Sequence, residues 1–261
     1  MLQRLFALVF FGIVAACSIP NRPDPNVVSE LAPTGVLRAA INLGNPILAA
    51  REPGSNELTG VSVDLAQSLA HRLHVPLRLI AYESAGQVVL AAATDDYDVA
   101  FVARDPLRSQ TLLQTSAYVA VTGSYLVRAD SPIRRNAEVD ATGVRVAVGA
   151  GSAYDLYLSR TLSKATLVRV PTSPEVTDAF LRQGLEVAAG VTQQLKSDAS
   201  RVPGLRLLPG SFMQIDQAMA VHPGKLAAAE FLERFLSDQK RSGFISDSLR
   251  SHHIEGAEVA P

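Results

Sequence analysis

Four segments decide the fold: GVLRAAI (35–41), VSVDLAQSLAHRL (61–73), PLRLIA (76–81) and DVAFVA (98–103). The first, third and fourth are short apolar runs of strand length. The second places Val61, Leu65, Leu69 and Leu73 four residues apart, one face of an amphipathic helix. Ser84 stands where an N-cap would open another helix over 85–94. Strand and helix therefore alternate β-α-β-α-β, the order of a parallel sheet with helices on its faces. Between the first two segments, residues 42–60 are turn-rich, with Gly44, Pro46, Pro53, Gly54 and Gly60.

The alternation then stops and restarts. Residues 118–127 form one long β-rich apolar stretch. Strand patterns follow at 144–148, 165–170 and 187–191. Helices are expected after Gly149-Ala150-Gly151-Ser152, from Ser173 to about 183, and from Thr192. A further strand is expected at 217–221. Leu226, Ala229, Leu232, Phe235 and Leu236 mark a helix over 226–239, and a shorter helix covers 243–249. Two α/β blocks of about 90 residues each and a helical tail imply two lobes with a cleft between them.

Ahead of these blocks, Arg4 precedes LFALVFFGIVAA (5–16), twelve residues without a charge, and then Cys17, the sole cysteine. A basic start, a short apolar core and small residues at its end make an export signal. As a helix it would be about 18 Å long, too short for a hydrocarbon core of ~30 Å. Residues 1–16 are read as a signal peptide, and Val14-Ala15-Ala16-Cys17 resembles a bacterial lipobox, which would make Cys17 a lipidated first residue. A lone exported thiol can form no internal disulfide. Residues 17–33, with four prolines, are read as a tether.

Composition and motifs exclude several classes. The 261 residues are 48% apolar and 19% charged, with a net charge of −1. That is globular composition. No cluster of Lys and Arg suits a phosphate backbone, so no nucleic-acid partner is expected. Tryptophan is absent, which disfavours an aromatic sugar-stacking cleft. No G-x-S-x-G, H-E-x-x-H, C-x-x-C or P-loop motif occurs. Gly149-Ala150-Gly151 begins like a dinucleotide fingerprint, but Tyr154 holds the third glycine position. His252-His253 suggests no metal site, and His71 and His74 read as helix-end residues. No cofactor and no metal are expected.

Several segments, in order, carry a resemblance. They are GVLRAAI (35–41), LTGVSVDLAQSLAHRL (58–73), YDVAFVARDPLRSQTLLQTSAYV (97–119), GVRVAVGAGSAYDLYL (143–158), AFLRQGLEVAAGV (179–191) and the tail at 224–249. The chain resembles the family-3 extracellular solute-binding proteins, periplasmic receptors for ABC importers with the type II periplasmic binding protein fold. The resemblance implies two α/β lobes joined by two hinge crossings. Residues 34–121 with 216–261 would form lobe 1, and 122–215 lobe 2. The crossings would lie near 119–124 and 212–218.

The resemblance also implies a site. The arginine that grips the ligand carboxylate falls on Arg108. The first-strand acidic position falls on Asn42, with Asn45 beside it, and the positions before the arginine fall on Phe101 and Ala103. Helix-start residues fall on Ser152 and Ala153, and the aspartate that holds a ligand ammonium falls on Thr192. Arg108 has a planar fork suited to a carboxylate, and the helix start favours an anion. The residues leave other roles open: a salt bridge with Asp105 for Arg108, an ordinary N-cap for Ser152, and turn chemistry for Asn42 and Asn45.

The implied function is a non-enzymatic, lipid-anchored receptor in the periplasm. It would be a monomer that delivers a small carboxylate-bearing solute to an ABC importer permease. A dehydratase-like lyase or a periplasmic sensor or partner module on the same fold is the alternative. Replacing Cys17 is expected to release the protein from membranes. Metabolic labelling with a fatty acid should tag the wild type and not Cys17→Ser; labelling of both would refute the anchor.

Overall fold

The computed structural model describes residues 24–261; the expected signal peptide, Cys17 and residues 18–23 of the expected tether lie outside the described residues. The described part begins with helix α1 (Pro25–Leu31). Asp24 caps it by accepting the Asn26 N–H at 2.8 Å, and Pro25 occupies the first turn. Val27 and Leu31 are buried, and α1 packs on the long C-terminal helix, whose Ala228 N–H donates to Glu30 Oε2 at 2.8 Å. The tether reading of 17–33 is therefore corrected for 25–31. These residues belong to the folded body, because two apolar side chains one turn apart find a core to enter.

The first α/β block follows the expected alternation. It comprises β1 (Leu37–Asn42), a small hairpin of β2 (Ala50–Arg51) and β3 (Leu58–Thr59), α2 (Val61–Leu73), β4 (Leu77–Tyr82), α3 (Ala85–Ala91) and β5 (Val99–Ala103). Strands β4, β1 and β5 pair in parallel. The four residues spaced along α2 are all buried. Gly60 opens α2 at φ 119°, and a Cβ there would sit 2.4 Å from the Leu48 carbonyl, so no larger residue fits. His74 closes the helix in the left-handed region at φ 55°, its N–H bonded to Ala70 and His71 carbonyls. Ser84 caps α3 through the Gln87 N–H at 3.3 Å.

Strand β6 (Leu113–Arg128) is sixteen residues long and leads to the second block. This contains β7 (Arg145–Gly149), α4 (Ala153–Thr161), β8 (Thr166–Val170), α5 (Val176–Arg182), β9 (Val187–Val191), α6 (Thr192–Arg201) and β10 (Leu205–Leu207). Strands β8, β7 and β9 pair in parallel. The chain returns through β11 (Met213–Val221), then α7 (Leu226–Arg241), α8 (Phe244–Ser251) and β12 (Glu258–Val259). The strand order β4-β1-β5-β11-β6-β9-β7-β8 makes one hydrogen-bonded sheet, with the two parallel blocks separated by the antiparallel pair β11 and β6. Those two strands occupy the expected crossing segments. Among the described residues, no helix is long and apolar enough to cross a membrane.

Two expectations follow. Leu31 has no exposed surface, so Leu31→Ala should lower stability by ~2–5 kcal/mol. An unchanged urea midpoint would show that α1 does not contribute to the core. Asp140 accepts backbone N–H groups of Ala165, Lys164 and Ser163 at 3.0, 2.7 and 3.0 Å, and these hold its carboxyl well below the usual carboxylate range. A depressed folded-state pKa adds stability above the unfolded value of ~4, and that stability is lost as pH falls. Asp140→Asn should therefore narrow the difference between urea midpoints at neutral and acid pH.

Candidate ligand site between the two blocks

Ligands in α/β sheets bind outside the carboxyl ends of the strands. Here the ends of β1 and β5 meet the loop that opens α4. Asn42 ends β1, and its Oδ1 accepts the Gly44 N–H at 2.9 Å, an Asx turn. The turn carries Asn45 into the interior, where it is 6% exposed. Beyond β5, a single 3-10 turn over Arg108–Gln110 buries Arg108 to 2% exposure.

Arg108 is not a surface salt bridge. Its Nη1 donates to the Ala103 carbonyl at 2.7 Å, and its Nη2 donates to the Gly151 carbonyl, from the other block, at 2.8 Å. Its Nε is buried without a partner. Asp105 turns elsewhere, to Arg160 at 2.7 Å and to the Leu107 N–H at 2.9 Å. Burial pushes the Arg108 guanidinium down to about 10, with Asp105 opposing the shift. It keeps its positive charge at neutral pH.

The opposite wall is the start of α4. Gly151 is left-handed at φ 68°, and a Cβ on it would lie 2.9 Å from Gly86 Cα, so the two blocks touch backbone to backbone. Ser152 is the N-cap, accepting the Asp155 N–H at 3.0 Å. The chain's own Asp155 brings a carboxylate to this helix start. Its carboxylate takes the Gly151 N–H at 2.9 Å and pairs with Arg169 at 3.0 Å. The Ser152 N–H bonds the Gly149 carbonyl. Those two donors are therefore engaged within the chain, while Ser152 and Ala153 line the space beside Arg108.

Between these walls lies a cavity of about 30 Å³, room for one or two waters. Asn42, Asn45, Ala103, Arg108, Ser152 and Ala153 line it, as do Tyr154, Ser173, Val191 and Gln217. Four of its buried polar atoms have no partner: both Asn45 amide atoms, Arg108 Nε and the Tyr154 hydroxyl. Burial raises the Tyr154 hydroxyl's pKa. Ser173, Ser152 and the Gly149 backbone lie near enough to oppose that rise, though none meets it in hydrogen-bond geometry. Asn45 was anticipated; Tyr154, Ser173 and Gln217 were not. Tyr154 carried a signal, since it broke the glycine pattern after Gly149.

Two anticipated residues do not line the cavity. Phe101 is 2% exposed and packs edge-on against Tyr118 at 6.2 Å. It shares a strand face with Ala103 but lies two residues, about 6–7 Å, deeper. The Thr192 hydroxyl donates to the Thr122 carbonyl at 2.9 Å and lies 2.7 Å from Ser124 Oγ, both on β6. Val191 faces the cavity in its place. A larger, open depression of about 540 Å³ lies by Pro46, Thr59, Lys196 and His252, lined by none of the anticipated residues. His252 itself pairs with Asp64 at 2.9 Å, and among the described residues no cluster of three metal-binding side chains occurs.

Membrane-bound lytic murein transglycosylase F of Shewanella frigidimarina is 30% identical over 112 residues, 42% of this chain and 23% of that protein. The chain thus spans less than a quarter of that relative. A mutant ArgBP from T. maritima superposes with a TM-score of 0.76 at 21% identity, covering 88% of this chain and 100% of the other. An amino acid ABC transporter substrate-binding protein from Streptococcus pneumoniae, bound to L-arginine, superposes at 0.74 and 19% identity, covering 87% and 97%. At these identities the superpositions speak for the fold. The model of the bacterial extracellular solute-binding proteins, family 3, matches residues 37–253, so the chain belongs to that family and has the type II periplasmic binding protein fold.

Proposed function

We propose that this protein is the lipid-anchored binding component of an ABC importer. It captures a small carboxylate-bearing solute by closure of two lobes, residues 34–121 with 216–261 and residues 122–215. Cys17 tethers it in the periplasm, and it presents the solute to the importer's permease as a monomer.

One observation carries the reading. Nε and Nη2 of a guanidinium point along the same edge, the edge that receives a carboxylate in two parallel bonds. In Arg108 that edge is half vacant and half held by a carbonyl from the opposite block, while Nη1 is tied to the end of β5 in its own block. A ligand carboxylate that displaces the Gly151 carbonyl satisfies both donors. Asn45 and Tyr154 offer further buried hydrogen-bonding atoms to the same ligand.

The ligand is not held as an α-amino acid. No Asp or Glu lines the cavity, and Thr192 uses its hydroxyl within β6 and α6. An ammonium buried there would lack a counter-charge, at a cost of several kcal/mol. The same lining favours binding over lyase chemistry, because it offers no carboxylate or imidazole for proton transfer.

Calorimetry on refolded, ligand-free protein tests the site, with acetate and butyrate against the common amino acids. Carboxylate binding should weaken at least thirtyfold in Arg108→Ala, since truncating one partner of a buried charged bond costs ~2–5 kcal/mol. Arg108→Lys, which keeps the charge but loses the fork, should also weaken it. Micromolar binding of a common amino acid, or an unchanged affinity in Arg108→Ala, would overturn the proposal.

A further inference from the structure

A second space adjoins the arginine. A groove of about 480 Å³ runs between α3 and the loop after β5 on one side, and the β7–α4 loop on the other. Its wall includes Val89, Leu90, Leu107, Leu156 and Pro171, and Arg108 is its only charged member. Arg108 lines both this groove and the 30 Å³ cavity. The Arg108–Gly151 bond and the contact between Gly86 and Gly151 stand where the two spaces meet.

The exposed apolar residues single out the groove. Three large apolar side chains are strongly exposed among the described residues: Leu90 at 76%, Leu226 at 64% and Leu107 at 47%. Two of the three line it. A scattered leucine needs no explanation, but paired leucines in an otherwise uncharged groove beside a buried arginine form an apolar extension of a charged site. Pockets for small ligands have this size and this make-up, apolar walls with few polar groups.

Volume decides how a ligand divides between the two spaces. The inner cavity has room for one or two waters and therefore none for a hydrocarbon chain. We infer that the solute is an amphiphilic carboxylate, its head on the Nε–Nη2 edge of Arg108 and its aliphatic or aryl tail in the groove by Leu90 and Leu107. This rests on the proposed carboxylate site and adds the class of tail.

The test is calorimetry of the whole refolded chain with acetate, butyrate, hexanoate and octanoate. Affinity should rise with chain length, by about fourfold per methylene where the tail is fully buried, the ratio that ~0.8 kcal/mol gives. Replacing Leu90 and Leu107 by Asn should flatten that slope. Leu226→Asn, an exposed leucine outside the groove, should leave it intact. Arg108-dependent binding with no chain-length slope would overturn the amphiphilic tail and leave the carboxylate site standing. A slope that survives the Leu90 and Leu107 substitutions would also overturn it, and would leave the groove as a surface for a protein partner. Failure of every carboxylate to bind, or binding that persists in Arg108→Ala, would instead remove the carboxylate site itself.

Discussion

Strand β6 is shared by both halves of the protein. It pairs with β11 over residues 113–123 and with β10 over 126–128. It pairs with β12 at 119–120 and with β9 over 123–126. A strand has only two edges, so β11 and β10 take one and β12 and β9 the other. The second block is thus hydrogen-bonded to β6 directly through β9 and the first through β11, which pairs with β5, while the C-terminal tail closes on β6 itself. Val119, Val121 and Tyr125 are buried along it, so the joining strand is also core. Any relative movement of the blocks has to be accommodated where β6 and β11 change partners, and the register shifts on β11 between Gln217 and Ala220 lie there.

The crossing sets the context for a buried charge. A guanidinium with almost no exposure is costly unless its donors are satisfied. Arg108 meets that requirement from both blocks, through the Ala103 and Gly151 carbonyls. Gly151 is engaged through both of its backbone polar groups, its carbonyl by Arg108 and its N–H by Asp155. One left-handed glycine therefore sits between a buried cation and a buried carboxylate, and its missing Cβ lets Gly86 approach. The unpartnered Nε, the unpartnered Asn45 amide and the unpartnered Tyr154 hydroxyl are the exceptions among the buried polar side-chain atoms that line the cavity. Such exceptions mark where an additional molecule would complete the bonding.

Most elements were legible because their signals are local. The face of α2, the Ser84 and Ser152 caps and the short apolar strands all depend on spacing within a few residues. Helix α1 was not. Asp24 and Pro25 are ordinary helix-start residues, but a seven-residue helix has no stability of its own. It exists because Val27 and Leu31 meet α7 some 200 positions later, and no local pattern announces that contact. The two-residue strand β12 was missed for the same reason, since its pairing partners are at Val119 and Ala120.

The site divides along the same line. By itself the sequence determined the alternation of strands and helices, the two blocks, and the turns that place Asn45, Arg108 and Ser152 at strand ends. Periodicity and capping are properties of neighbouring residues, and these residues carry them. Only the tertiary structure decided what those side chains face. Phe101 lies one pleat too deep and joins the core. The hydroxyl of Thr192 is held by β6, and Val191 meets the cavity instead. Asp155 turns back on the helix start, where it takes the Gly151 N–H and pairs with Arg169. Which neighbour arrives at each strand end depends on depth along the sheet and on contacts between blocks, and those are fixed by packing across the whole chain.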